Sequence, residues 1–139
     1  MSELVRFGVS LEEGLLKRFD DLIHRRKYTN RSEALRDMIR RELLKQDWEE
    51  GGEVAGAITY IYDHHTRELL SKITDIQHDS QDVIISTQHI HLDHHHCLEI
   101  VAVKGKAKKI MRLADSLKAI KGVRHCALSM TGTGEETVG

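Results

Sequence analysis

Proline is absent from this chain. No cis-proline turn and no proline kink therefore enters its fold. Cysteine is scarce: Cys97 and Cys126 are the only two. Two are too few for a disulfide framework, which points to a reducing, cytoplasmic setting. No apolar run approaches the roughly 18–20 residues of a membrane-spanning helix, and the first residues hold no apolar signal core. No membrane partner is expected. Charge of one sign is not in excess either, with 21 Lys and Arg against 22 Asp and Glu. A net charge of −1 excludes a generally polycationic binder, so any nucleic-acid contact must come from a local basic surface. The remaining composition is that of an ordinary globular chain, with 139 residues, 40% hydrophobic and 31% charged. That length allows one domain or two small ones. One residue type is over-supplied. There are ten histidines, and six of them lie between Gln77 and Leu98.

The sequence divides near residue 50. The stretch Asp47-Trp48-Glu49-Glu50-Gly51-Gly52-Glu53 is acidic, carries a glycine pair and reads as a linker over 47–53. The first 46 residues read strand, helix, helix. Val5, Phe7, Val9 and Leu11 alternate with Arg6, Gly8 and Ser10, the period of a strand with one apolar face. Ser10 and Glu13 have the spacing of a capping box, and Leu15, Leu16, Phe19, Leu22 and Ile23 follow at helical spacing. Asn30 is a good N-cap, with Glu33 three residues on, for a second helix carrying Ala34, Leu35, Met38, Ile39 and Leu43. A unit this small has too little core to stand alone, and a lone strand has nothing to pair with. Pairing of two such strands in a dimer, backed by four helices, is the simplest remedy.

Residues 54–131 alternate differently. Strands are predicted over Val54–Tyr62, Val83–Leu92, Cys97–Val103 and Val123–Met130, and helices over His64–Gln77 and Ala107–Ile120. The order is βαββαβ, the ferredoxin-like arrangement, so the whole chain reads as α+β. Residues 132–139 are small and polar and read as a flexible tail.

Two places carry chemistry. On a ribbon of paired strands, Arg6, Gly8 and Ser10 face outward, and such a ribbon fits the DNA major groove. Asn30, Arg31 and Ser32 open the second helix, where free backbone N–H groups can hold a phosphate. The second place is the histidine-rich hairpin. His89 and His91 lie on one face of a predicted strand, with Cα atoms roughly 6.5–7 Å apart. Cys97 begins the neighbouring strand, so its sulfur can approach the same ion. His78 is a candidate fourth ligand, from the same chain or across an interface. Three nitrogens and one sulfur in a plane fit Ni(II) or Cu(II), and in a tetrahedron Zn(II). His94, His95 and His96 read as solvated turn residues.

The segment VRFGVSLEEGLLKRFDDLI followed by YTNRSEALRDMIRREL resembles the ribbon-helix-helix repressors. The spacing Gln77-His78, His89-Ile90-His91, Cys97-Leu98-Glu99-Ile100, with Gly122 to His125 near the end, resembles the NikR family of nickel-responsive repressors, and the likeness spans nearly the whole chain. It implies an N-terminal ribbon-helix-helix (βαα) DNA-binding domain and an ACT-like, ferredoxin-like domain that binds metal and forms tetramers. It implies Ni(II) held in a plane by His89, His91 and Cys97 of one subunit and His78 of another. It implies a homotetramer, a dimer of dimers, that binds an inverted-repeat operator in double-stranded DNA and represses nickel-uptake genes. By the same resemblance Arg6, Gly8 and Ser10 read bases, and Asn30, Arg31 and Ser32 clamp phosphate. Gly8 departs from the family, which usually places a side chain there. Arg67 keeps the charge of a family position that touches DNA, where Thr66 does not. Tyr60, Tyr62 and Glu99 match neighbours of the metal. Glu33 and Asp37 match a pair that holds a second cation, K+ or similar, between the domains. The competing readings are a metal storage or delivery protein, and a ribbon-helix-helix regulator that senses another metal or a small molecule. No general base is placed for a metalloenzyme, so no enzymatic activity is expected.

Overall fold

The computed structural model describes residues 3–135. The chain divides into two compact units, the first ending at Arg41 and the second beginning at Glu42. The first holds α1 (Glu13–Arg25) and, after a short turn, the first part of α2 (Arg31–Glu50). The end of α1 follows from local chemistry. Lys27 takes a left-handed conformation (φ 58°), which lets Tyr28 N–H reach back to Ile23 O at 3.1 Å and satisfy a terminal carbonyl. Asn30 caps α2 as expected, its Oδ1 accepting from Glu33 N–H at 2.9 Å. The expected Ser10–Glu13 capping box does not form. Helix α1 starts at Glu13 with Glu12 at the N-cap and no side-chain cap.

Residues 3–12 carry no strand pairing in the single chain. The alternation is present, but a ladder needs a second strand. Its apolar members are bare to solvent: Val5 is 83% exposed and Phe7 71%.

The expected linker also differs. Helix α2 runs on through Asp47, Trp48, Glu49 and Glu50. Nothing in that acidic stretch breaks a helix, there being no proline to remove a hydrogen bond. Trp48 is buried in the core of the second unit and donates its indole N–H to Thr131 O at 3.2 Å. The break comes at Gly51, whose φ of 78° suits glycine.

The second unit is β1 (Glu53–Asp63), α3 (Arg67–Asp79), β2 (Ile84–His91), β3 (His96–Lys106), α4 (Ala107–Lys118) and β4 (Arg124–Thr131). The sheet order is β2-β3-β1-β4, all neighbours antiparallel. This is the expected βαββαβ order, with α3 starting later than expected. His64 and His65 lie in a turn closed by the Asp63 carboxylate, which accepts from His65 N–H at 2.9 Å. One sheet face carries Val54, Ile58, Tyr60 and Tyr62 of β1 with Cys97, Glu99, Val101 and Val103 of β3, all buried. Leu69 and Ile73 of α3 and Ile110, Leu113 and Leu117 of α4 complete that core. The other face carries Ala57, Ile61, Ile90, Leu98 and Ile100, all only half-buried. Of the predicted tail, residues 136–139 lie outside the described residues.

Candidate metal centre

Directly paired residues of antiparallel strands share a face. The register pairs His91 with Cys97 and His89 with Glu99 across β2 and β3, and Tyr62 with Cys97 and Tyr60 with Glu99 across β3 and β1. Six chemistry-bearing side chains therefore stand in two rows on the helix-covered face, at the end of the sheet where the β2–β3 turn lies. The strands differ in access. Cys97 and Glu99 are buried, whereas His89 and His91 are exposed on β2 at the sheet's edge.

Behind the histidines lies a closed polar group. Glu99 is fully buried. Its carboxylate accepts from the Tyr60 hydroxyl on one oxygen and from Gln77 Nε2 at 2.9 Å on the other. The second Gln77 N–H donates to the Tyr60 oxygen at 2.8 Å. Each member satisfies the other two, which is what lets a carboxylate sit in an apolar core. Burial first, and then the Glu99 hydrogen bond, hold the Tyr60 phenol well above the usual tyrosine range and protonated. Burial, with the charges of Glu99 and Cys97, raises Tyr62 in the same way.

The group touches the candidate ligand His89. His89 Nε2 lies 3.5 Å from Glu99 Oε1, and Tyr62 Oη lies 3.1 Å from His89 Nδ1. A carboxylate beside one ring nitrogen helps to orient the imidazole, as at most histidine-metal sites. The donor set of two imidazoles, a buried thiol that is free of any disulfide and a backing carboxylate fits a borderline transition metal. It is incomplete in one chain. Among the described residues no three His, Cys, Asp or Glu side chains converge as a ready-made cage. His78, at the end of α3, faces Gln81, whose Nε2 lies 3.2 Å from His78 Nδ1.

The remaining histidines occupy the turn. His64 stacks against His65 with ring centroids 4.2 Å apart and meets the edge of His91 at 4.9 Å. Its Nε2 is buried without a hydrogen-bond partner. His65 Nε2 lies 2.6 Å from His94 O. Asp93 ties the hairpin by accepting from His95 N–H and His96 N–H, each at 2.8 Å. The role of Gln77 was not separated from its neighbour by sequence reasoning, although a signal existed. Leu69, Ile73 and Gln77 share one stripe of α3, so a polar residue sits where burial is expected.

A family profile described as "NikR C terminal nickel binding domain" matches residues 55–131. The chain belongs to the NikR family. A second profile, "Ribbon-helix-helix protein, copG family", matches residues 5–46. Proteins named for nickel-responsive regulation match over almost their whole length. One from Syntrophus aciditrophicus is 68% identical, covering 97% of this chain and 98% of its own. One from Chlorobium limicola is 60% identical, covering 96% and 100%. One from Geobacter sulfurreducens is 51% identical, covering 98% and 99%. An uncharacterized protein of Thermotoga maritima shares the fold, with a TM-score of 0.52 at 14% identity over 56% of this chain and 96% of its own. NikR proteins are nickel-responsive, DNA-binding transcriptional regulators, not enzymes. Among the described residues, no helix is long and apolar enough to cross a membrane.

The structure places the other expected site residues as follows. Arg6, Gly8 and Ser10 lie exposed on the unpaired N-terminal segment, and Ser32 is exposed at the start of α2. Arg31 is held by Asp20 of α1 through two hydrogen bonds of 2.9 Å. Glu33 pairs with Arg36, and Asp37 accepts from the Tyr28 hydroxyl and pairs with Arg41 at 3.1 Å. Arg67 is exposed in the first turn of α3.

Proposed function

We propose that this chain is an Ni(II)-dependent repressor of nickel-uptake genes, acting in the cytoplasm as a homotetramer on an inverted-repeat operator. The register that sets His91 beside Cys97, with Glu99 behind His89, carries the reading. His89, His91 and Cys97 would be ligands from one subunit and His78 from another. The direction of His78 toward Gln81 supports a shared site. Coordination bonds, when nickel is bound, would join side chains of two chains and so stiffen the assembly.

The chain's own residues do the rest. Glu99 orients His89, and Gln77 fastens the end of α3, which carries His78, to that same carboxylate. Exposed Val5, Phe7 and Val9 support pairing of two N-terminal segments into a ribbon, with Arg6, Gly8 and Ser10 turned toward bases. Asn30, Arg31 and Ser32 would clamp phosphate, and Arg67 would add a phosphate contact. The half-buried apolar face of the sheet supports packing of a second dimer. Glu33 and Asp37 would hold a second cation by exchanging their arginine partners for it.

The test is an absorption titration with Ni(II), repeated on Cys97→Ala. The expected result is a thiolate-to-nickel band that saturates at one ion per chain and vanishes in the variant. Unsaturable binding that ignores Cys97 would leave a ribbon-helix-helix protein with a different signal.

A further inference from the structure

The chain carries a net charge of −1, but the charge is not spread evenly. Between residues 104 and 124 stand eight cations, Lys104, Lys106, Lys108, Lys109, Arg112, Lys118, Lys121 and Arg124, against one carboxylate, Asp115. All eight are exposed. Four cations elsewhere are matched: Arg31 with Asp20, Arg36 with Glu33, Arg41 with Asp37, Lys72 with Glu68. Here only Lys109 has an ion-pair partner among the described residues, in Asp82.

Helix stability does not explain this arrangement. Cations in a first helical turn oppose the macrodipole and weaken the helix. Helix α1 opens on Glu13, and α2 and α3, which open on Arg31 and Arg67, balance that cation with Glu33 and Glu68 in the same turn. Helix α4 has no acid there; Lys108 and Lys109 occupy the turn, behind Lys106 at the N-cap. Its inner side is spent on packing through Ala107, Ile110, Leu113, Ala114 and Leu117. The outer side puts Lys108 and Arg112 one turn apart, with Asp115, Ser116 and Ala119 after them and Lys118 beside them. Its three cations outnumber its single carboxylate, and the small Ser116 and Ala119 leave room for an extended anion beside them.

We propose that the outer face of α4 is a second DNA-contacting surface, which holds the phosphate backbone of duplex DNA without reading its sequence. The inference rests on the DNA-binding reading of the N-terminal segment and adds to it. Charge complementarity selects the occupant: a row of unpaired cations suits a uniform polyanion, and DNA is the polyanion this family binds.

The test measures binding of a mixed-sequence DNA duplex to the nickel-loaded full chain between about 50 and 200 mM salt. Wild type is compared with the triple variant Lys108→Gln, Arg112→Gln, Lys118→Gln and with Arg6→Ala. Each phosphate contact adds about 0.9 to the slope of log affinity against log salt, so the triple variant should lose about 2 to 3 from that slope. Far-UV circular dichroism should stay unchanged, because the three side chains are exposed and unpaired. An unchanged slope in the triple variant, with a reduced one in Arg6→Ala, overturns the α4 surface and leaves the ribbon reading intact. Failure of wild type to bind any duplex removes both. Loss of binding to anionic lipid vesicles with no change on DNA also overturns the proposal, assigning the face to a membrane surface.

Discussion

Gln77 donates a hydrogen bond to Glu99 at 2.9 Å across 22 residues of sequence, and the same carboxylate oxygen lies 3.5 Å from His89 Nε2. One buried acid thus connects the residue before His78 to the ring of His89, so the two parts of the proposed ligand set are linked through a single group. Glu99→Gln keeps the shape but not the charge. It should lower nickel affinity about 10- to 100-fold, the usual effect of altering a ligand's supporting partner. Isothermal titration against Ni(II), with circular dichroism as the check on folding, reads the effect. Unaltered affinity would mean that Glu99 serves packing alone.

Binding of nickel and operator should be reciprocal. Whatever factor Ni(II) adds to operator affinity, operator DNA must add to nickel affinity. Nickel titrations with and without duplex measure this directly. Equal affinities would separate the metal site from DNA binding.

The uncovered N-terminal side chains make a prediction about assembly. Phe7 is 71% exposed and Val9 59% in the single chain. Phe7→Asp should separate ribbon dimers and abolish operator binding, because a charge would be buried unpaired between strands. Sedimentation velocity should show a smaller species that still binds nickel if the second unit supplies the remaining contacts. Unchanged size and DNA affinity would place Phe7 outside the interface.

Gly56 on β1 has no room for a side chain. A Cβ there would stand 2.5 Å from Ser129 O of β4, a backbone atom that cannot swing away. Gly56→Ala should cost about 1–3 kcal/mol in denaturant unfolding, as overpacking does. The loss should appear as faster amide exchange along β4.

The β2–β3 turn should resist acid. Hydrogen bonds from His95 N–H, the His96 side chain and His96 N–H hold the Asp93 carboxyl well below the usual carboxylate range. A folded value below the unfolded one, about 3.9, stabilises the turn at higher pH, and that contribution fades only as pH falls through the lower folded value. Carboxyl carbon NMR should show Asp93 still ionised at pH 4. Asp93→Asn should remove this resistance.

Much of the fold was legible because periodicity reports local geometry. Leu69, Leu70, Ile73 and Ile76 on α3, and Ile110, Leu113 and Leu117 on α4, announce their apolar stripes at helical spacing. The H-x-H of β2 likewise announces two rings on one face. The reading failed where partners lie far away in sequence. Acidic Asp47, Glu49 and Glu50 around Trp48 looked like a linker, yet Trp48 docks on Thr131, 83 residues on. His64 and His65 looked like a helix start, yet they pack on the hairpin rings of His91 and His95.

The sequence by itself determined the two-part order, the amphipathic elements and the residue types of the proposed metal site, because each is a matter of spacing along the chain. It also determined the charge segregation that makes α4 basic. Only the tertiary structure decided that Cys97 lies beside His91, that Glu99 is buried behind His89, and that Gln77 closes the polar group with Tyr60. Strand register and helix docking bring together groups that no local rule relates. Burial then turns a carboxylate, a phenol and an amide, each ordinary in water, into a fixed support for one imidazole.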